Sequence, residues 1–375
     1  MIDTKSSRCV GCGACEAACP SKCISMEVSE SGEYRPVINK NMCVGCNLCE
    51  KVCLINDKDV VSYPIGETYF GWDKNFKARK DSSSGGIANV IAKQIVSTNG
   101  VVCGVGFDSN WTAKHYIITE ANELNLIQGS KYVESKCGRI FTEIKNILRT
   151  GKRVLFIGLP CQVLALRIFL AKEYSNLICV EVFCHGAPRV GVFNKYISYL
   201  ERRYGCVKKI NFRSKHYGWA TASYHIQCEK TCFYQKHTKN IYHLMFGYHN
   251  SLRRSCFECT CRKNYRYADI SLGDFWGIEK FYPQVDAEKG VSAIFVNSEK
   301  GKKMFEEISD DIYMEQCTKN EILEKNTWFI KNYAIPANQE QFEKDNQHLS
   351  SQMFFAKYYL LYKYLYRIKR FINRG

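Results

Sequence analysis

The chain has 375 residues, 46% of them hydrophobic, enough to bury more than one core, so two or more domains are expected. Its 21 cysteines are unevenly spread, nine falling before position 54, which excludes an evenly stapled disulfide scaffold; Met1 to Arg8 has neither a signal-peptide core nor an arginine-rich transit pattern, so a reducing cytoplasm is expected. The formal charge of +16 leaves open an acidic partner or surface and an ordinary lysine-rich exterior, and the lack of a helix-turn-helix, RNP or zinc-finger pattern argues against nucleic-acid binding.

The first sixty residues carry the firmest pattern. Cys9, Cys12, Cys15 and Cys19, followed by Pro20, keep the C-x2-C-x2-C-x3-C-P spacing of bacterial two-cluster ferredoxins, and Cys43, Cys46, Cys49 and Cys53 repeat it 34 residues on. Two-residue gaps let three thiolates of one loop meet three irons of a cubane, and Gly11, Gly13 and Gly45 let the backbone turn around it. The fourth cysteine of each repeat belongs to the other cluster in such ferredoxins. That assigns Cys9, Cys12, Cys15 and Cys53 to a first 4Fe-4S cluster and Cys43, Cys46, Cys49 and Cys19 to a second. Paired zinc knuckles would show two C-x2-C pairs instead of triples. Leu54 stands where proline normally closes the second repeat, adding a backbone N–H near that cluster, and Cys23 reads as a packed thiol.

Residues 54–68 mix polar residues with Pro64 and Gly66 and read as a linker. Arg79 to Gly86 (RKDSSSGG) runs into a helix expected over 87–98, with apolar residues at 87, 91 and 95. Such a serine- and glycine-rich helix start suits a phosphate or the polar edge of a flavin, and equally an ordinary serine cap. A strand over 101–107 holds Gly104 and Gly106 without completing a dinucleotide fingerprint. A helix over 140–149 precedes the clearest α/β unit: strand 154–157, the turn Gly158-Leu159-Pro160-Cys161, and helix 162–170. Strand 177–183 ends in Cys184-His185-Gly186. Cys161 and Cys184 thus sit just past the carboxyl ends of hydrophobic strands, where open α/β sheets build their sites.

Farther on come Cys256 and Cys259 in a C-x2-C pair, with Cys261 beyond, and a strand over 269–272 leading into Gly273-Asp274-Phe275-Trp276-Gly277. Cys161, Cys184, Cys256 and Cys259 supply the four thiolates of a third cluster; a zinc site and a catalytic Cys161 at a helix N-terminus are the competing readings. Cys103, Cys137, Cys179, Cys206, Cys228, Cys232 and Cys317 read as packed or incidental thiols. The segment 211–219 gathers Arg213, Lys215, His216 and Trp219, which suits either an anionic or stacked substrate or a solvated hairpin.

SSSGG, GLPCQVLALR, VFCHGAP, CFEC and RYADISLGDFWG, in that order, resemble the family of coenzyme F420 hydrogenase/dehydrogenase beta subunits over roughly 67–300. The resemblance implies an α/β domain that binds FAD and a 4Fe-4S cluster and passes electrons between iron–sulfur centres and a soluble hydride carrier or organic substrate. It makes Ser83, Ser84, Gly85, Gly86, Asp274 and Trp276 the flavin-contact candidates and adds weight to Cys161, Cys184, Cys256 and Cys259 as ligands, with Cys261 an ambiguous neighbour.

The last 25 residues, 351–375, carry six basic and no acidic side chains. Phe354, Tyr358, Leu361, Leu365, Ile368 and Ile372 form one helical face and Lys363, Arg367, Arg370 and Arg374 the other, fitting a docked helix, a contact with a partner subunit, or an anionic membrane surface. The expected architecture is α+β and α/β: a two-cluster ferredoxin-like domain over 1–60, a larger mixed α/β flavin-binding domain over 67–310, and a helical, basic amphipathic extension over 311–375. The expected function is a flavin-dependent iron–sulfur oxidoreductase served by a redox partner protein or soluble carrier; the alternative is a non-catalytic electron-transfer subunit of a partner oxidoreductase.

Overall fold

The structure, a computed structural model, describes residues 2–56 and 60–372, with side chains described as far as Leu365 in the last helix. The N-terminal module is a short helix, Ala14–Ala18, an antiparallel hairpin of Ile24–Val28 with Tyr34–Ile38, and a single helical turn, Leu48–Lys51. Gly11 and Gly13 take φ of +63° and +72°, a region where a side chain is strained, and this lets the first cysteine loop curl inward.

The larger part is built on an eight-stranded mixed sheet. Its spatial order is Ile312–Gln316, Glu67–Asp73, Ser292–Val296, Ile270–Asp274, Leu177–Val182, Val154–Gly158, Val101–Phe107 and Ala113–Ile118. The four strands beginning at 101, 154, 177 and 270 run parallel, and the outer ones are antiparallel. These parallel strands are nearly continuous apolar runs because both faces are covered. Val154 and Phe156 face the helices Ile140–Arg149 and Pro160–Leu170, whereas Leu155 faces the helix Ile87–Ser97.

Two expectations change here. The stretch 54–68 is no free linker: Leu54 is buried, Tyr63–Pro64 pairs with Tyr265–Arg266, and a Cβ on Gly66 would lie 2.0 Å from the Val296 carbonyl oxygen. The 311–375 segment is not purely helical, since Ile312–Gln316 is an edge strand of the main sheet, past the boundary drawn at 310.

A second, three-stranded antiparallel sheet (Val207–Ser214, Ser223–Cys228, Cys232–Lys236) packs with helices Val190–Tyr204 and Ile241–Gly247. The last helix, Ser351–Ile372, docks on this unit through Phe354, Phe355, Tyr358 and Tyr362, all buried. The buried face is therefore turned from the expected stripe, with Leu361 half-buried and Leu365 exposed; Arg367, Ile368, Arg370, Ile372 and Arg374 lie outside the described side chains. Among the described residues no helix is long and apolar enough to cross a membrane.

The N-terminal module is clamped to the rest by buried charge. Arg189, with no exposed side-chain surface, donates from Nε to Glu33 of the module (3.0 Å) and from Nη2 to Glu343 of the helix Gln339–His348 (2.7 Å). Arg35 and Arg254 pair with the same two carboxylates at 2.6 and 2.8 Å.

Buried imidazoles add a pH dependence to the fold. Burial pushes His115, stacked on Phe156, and His237, bonded to the Phe212 carbonyl, down to about 4. A base whose folded pKa is depressed takes up protons in the unfolded chain first, so stability falls as pH drops from about 6.5 towards 4, by about 3 kcal/mol per histidine. Denaturant melts across this window should show the loss, and His115→Gln should reduce it by that histidine's share while leaving the share of His237.

Candidate functional site

Around the first loop, Cys15 lies within electrostatic reach of Cys9, Cys49 and Cys53, and Cys12 within reach of Cys9 and Cys15. Cys53 and Cys49 of the second repeat therefore both stand near Cys15 of the first. Burial, reinforced by the neighbouring thiols, pushes Cys15 up to about 12. Cys19, Cys43, Cys46 and Cys49 line one small pocket together with Cys23, whose Sγ is 3.4 Å from that of Cys19.

The thiols remote in sequence also converge. Cys184 lies within electrostatic reach of Cys161, Cys256 and Cys259, and Cys161 of Cys256 and Cys259. Cys161 is in the first turn of the helix Pro160–Leu170, where proline at the helix start caps the strand-to-helix turn. Burial raises its thiol to about 11, whereas a contact with Cys261 draws Cys259 down to about 6. Among the described residues no three histidine, cysteine or carboxylate side chains close to the spacing of a single metal ion.

This second thiol group has a buried cation beside it. Arg253 donates from Nη2 to Cys161 Sγ (3.8 Å) and from Nη1 to the Val10 carbonyl, and stands 3.8 Å from Glu134. Its Nε is buried with no hydrogen-bond partner. Val10 and Leu54 of the N-terminal module, beside Cys9 and Cys53, line a shared pocket with Cys161, Cys259 and Cys261. Cys137, a packed thiol of the core, lies within electrostatic reach of both Cys12 and Cys161.

On the other side of Cys184 a cavity of about 550 Å³ opens at the carboxyl ends of the parallel strands, lined by Gly158, Val182, Cys184, Leu272 and Asp274. Ser83, Ser84, Gly86 and Trp276 line it as well. Gly86 takes φ +95° as the residue before the helix Ile87–Ser97 and provides no side-chain cap, so the first turn of that helix faces the cavity. Ser83 Oγ accepts from the N–H and the hydroxyl of Ser130 (2.9 and 3.0 Å), which leaves its own proton for a further acceptor.

Asp274 accepts from Arg213 (3.1 Å) and the Trp219 indole (3.0 Å); Arg213 lies 4.8 Å over the Trp276 ring, and Trp219 stacks on Trp276 at 4.7 Å. Gly85 stands apart from the cavity wall. Its N–H donates to Ser292 Oγ, its carbonyl accepts from Asp73, and a Cβ there would meet the Gly71 carbonyl oxygen at 2.4 Å.

Of the 211–219 segment, Arg213 reaches the cavity and Trp219 supports it. Lys215 instead ties down the carbonyls of Arg79, Ser84 and Lys289, and His216 stacks on Tyr234. Sequence reasoning missed Lys131, Tyr132, His185, His237 and His243, all on the cavity wall. Lys131 is pushed down to about 7 by burial, its Nζ donating only to carbonyl oxygens of Gln128 and Gly129. The one available signal was His185, adjacent to Cys184 in VFCHGAP.

Comparison with known proteins fits this arrangement. Residues 151–321 match the family described as coenzyme F420 hydrogenase/dehydrogenase, C terminus of the beta subunit, and residues 8–56 match the 4Fe-4S dicluster domain. The F subunit of the F(420)H(2) dehydrogenase from Methanosarcina mazei is 23% identical over 322 residues, which span 81% of this chain and 83% of that protein. A chain of the F420-reducing NiFe hydrogenase complex from Methanosarcina barkeri shares the fold, with a TM-score of 0.50 at 16% identity, covering 77% of this chain and 94% of that one. The chain thus carries a 4Fe-4S dicluster domain over residues 8–56 and, over residues 151–321, a domain matching the C terminus of coenzyme F420 hydrogenase/dehydrogenase beta subunits.

Proposed function

We propose that the chain is an iron–sulfur flavoprotein that moves electrons between its N-terminal clusters and a soluble hydride carrier of the F420 class. The observation that carries this reading is the position of Cys184, which lies among the second thiol group and also on the wall of the 550 Å³ cavity. Cys161, Cys184, Cys256 and Cys259 would hold a third 4Fe-4S cluster. One feature fits an anionic cluster there: the buried Arg253, whose Nε has no hydrogen-bond partner among the described residues.

The cavity is large enough for a flavin ring system and has the chemistry to hold one. Ser83, Ser84 and the helix start at Gly86 would bind its phosphates or polar edge, with Lys131 a nearby amine lacking a carboxylate partner among the described residues. Trp276, braced by Trp219 and Arg213, would pack on an aromatic surface, and Asp274 fixes that brace. A bound flavin supplies the exchange between one-electron and two-electron chemistry. Around it the aromatic wall of Tyr132, Phe246 and Trp328 excludes water.

On this reading residues 1–60 relay electrons, 67–310 perform the two-electron chemistry, and 311–375 complete the sheet and brace the three-stranded unit. The acidic or apolar counterpart of the basic C-terminal helix would be a partner subunit, in keeping with the complex to which the structural relative belongs. The test is direct. The anaerobically reconstituted full chain should oxidise reduced coenzyme F420 and develop reduced-cluster EPR signals in step. Flavin-stripped chain should do neither until FAD is restored. Cluster reduction by ferredoxin alone, with no oxidation of any hydride carrier by flavin-loaded chain, would leave a relay protein instead.

A further inference from the structure

We infer that Arg253 is a positioning residue for electron transfer at the junction of the N-terminal module and the Cys161 thiol group, holding the first cysteine loop in place and raising the reduction potential of the third cluster. This rests on the assignment of Cys161, Cys184, Cys256 and Cys259 as ligands. One guanidinium bridges the two groups: Nη1 donates to the Val10 carbonyl, between Cys9 and Gly11, and Nη2 to Cys161 Sγ at 3.8 Å. The guanidinium packs against this loop, with Nη1 at an ordinary contact distance of 3.6 Å from where a Cβ on Gly11 would stand. The backbone N–H of Arg253 is bonded to the Ala187 carbonyl, which ties the side chain to the segment that carries Cys184.

The same guanidinium has one carboxylate neighbour: Glu134 Oε2 stands 3.8 Å from Nη1, while Glu134 Oε1 accepts the N–H groups of Tyr34 and Val190. Arginine has five donors and does not deprotonate in proteins, so a permanent positive charge sits where a cluster would gain or lose an electron. A cation stabilises the more negative, reduced state. The transfer it serves is one electron leaving one cluster and arriving at the other, with no bond made or broken and no proton taken from Arg253.

The test is an EPR-monitored redox titration of the reconstituted full chain and its variants. In R253Q the reduced-to-oxidised ratio of the third cluster at fixed potential should fall roughly tenfold, about 59 mV for a one-electron couple. The second cluster, bounded by Cys19, Cys43, Cys46 and Cys49, should keep its midpoint. R253K retains the charge without the fork and should stay within roughly threefold of wild type, which carries the test should R253Q lose the cluster. Arg254→Gln removes a neighbouring cation that instead pairs with Glu343, and should leave all midpoints in place. An unmoved third midpoint in R253Q, an equal shift in R254Q, or a drop in R253K beyond threefold overturns the assignment. Two clusters in the wild-type chain would instead overturn the ligand assignment beneath it.

Discussion

Cys184→Ala is expected to remove roughly a third of the chain's iron while leaving flavin bound, and to disconnect oxidation of the hydride carrier from reduction of the N-terminal clusters. Cys184 is the thiol that belongs to both settings, facing Cys161, Cys256 and Cys259 on one side and the cavity on the other. The substitution is small and removes no backbone bond, so loss of iron reports on ligation and not on folding. Cys261→Ala serves as the comparison. Cys261 is buried against Cys259 but is not on the cavity wall, and its removal should leave the iron content unchanged. Full iron in C184A together with lost iron in C261A would exchange the two in the ligand set. Iron and sulfide analysis with parallel EPR makes the distinction.

The largest stability effect is expected at Arg189→Ala, a loss of about 3–5 kcal/mol in denaturant melts. The arginine is fully buried and forks between Glu33 and Glu343, so its removal leaves each of these carboxylates with one arginine, Arg35 or Arg254, in place of two. Burial alone would raise both carboxyls, yet the flanking arginines hold Glu33 and Glu343 below the ordinary value of 4.5. The stabilisation is therefore full above about 4.5 and is lost as the pH falls below it. Adding Glu33→Gln and Glu343→Gln to R189A should recover part of the loss, because the carboxylates left with a single arginine each are then neutral. Arg189→Lys should fall between wild type and alanine, having one ammonium for two acceptors. Because this network fastens the module to the sheet, R189A should also expose the N-terminal clusters to faster oxidative loss.

Much of the framework was legible in the sequence for a physical reason. Strands such as Val101–Phe107 and Val154–Gly158 are buried on both faces, which forces unbroken apolar runs, and Ile140–Arg149 keeps its apolar positions at helical spacing. The cysteine repeats were legible because a cubane fixes local spacing. Tertiary pairing was not. Nothing local marks Ile312–Gln316 as the edge of a sheet begun at Glu67, and the turn of the last helix onto Phe355 and Tyr362 depends on the shape of the unit beneath it.

At the site, Ser83, Ser84, Gly86, Asp274 and Trp276 share one cavity, but the neighbouring Gly85 is small for the sake of Gly71. Lys131, His237 and His243 come to the wall from segments with no pattern of their own. Arg253 precedes the C-x2-C pair as one of two arginines, and only the fold shows which of them turns towards the thiols.

On the proposed reading the chain unites three clusters and a flavin in one electron path. Quantifying iron, acid-labile sulfide, zinc and flavin together on anaerobically purified, reconstituted full-length chain tests it most directly. The expected result is iron and sulfide for three 4Fe-4S clusters, one FAD and no zinc per chain. Two clusters with one zinc ion, or no flavin retained after reconstitution, would contradict it.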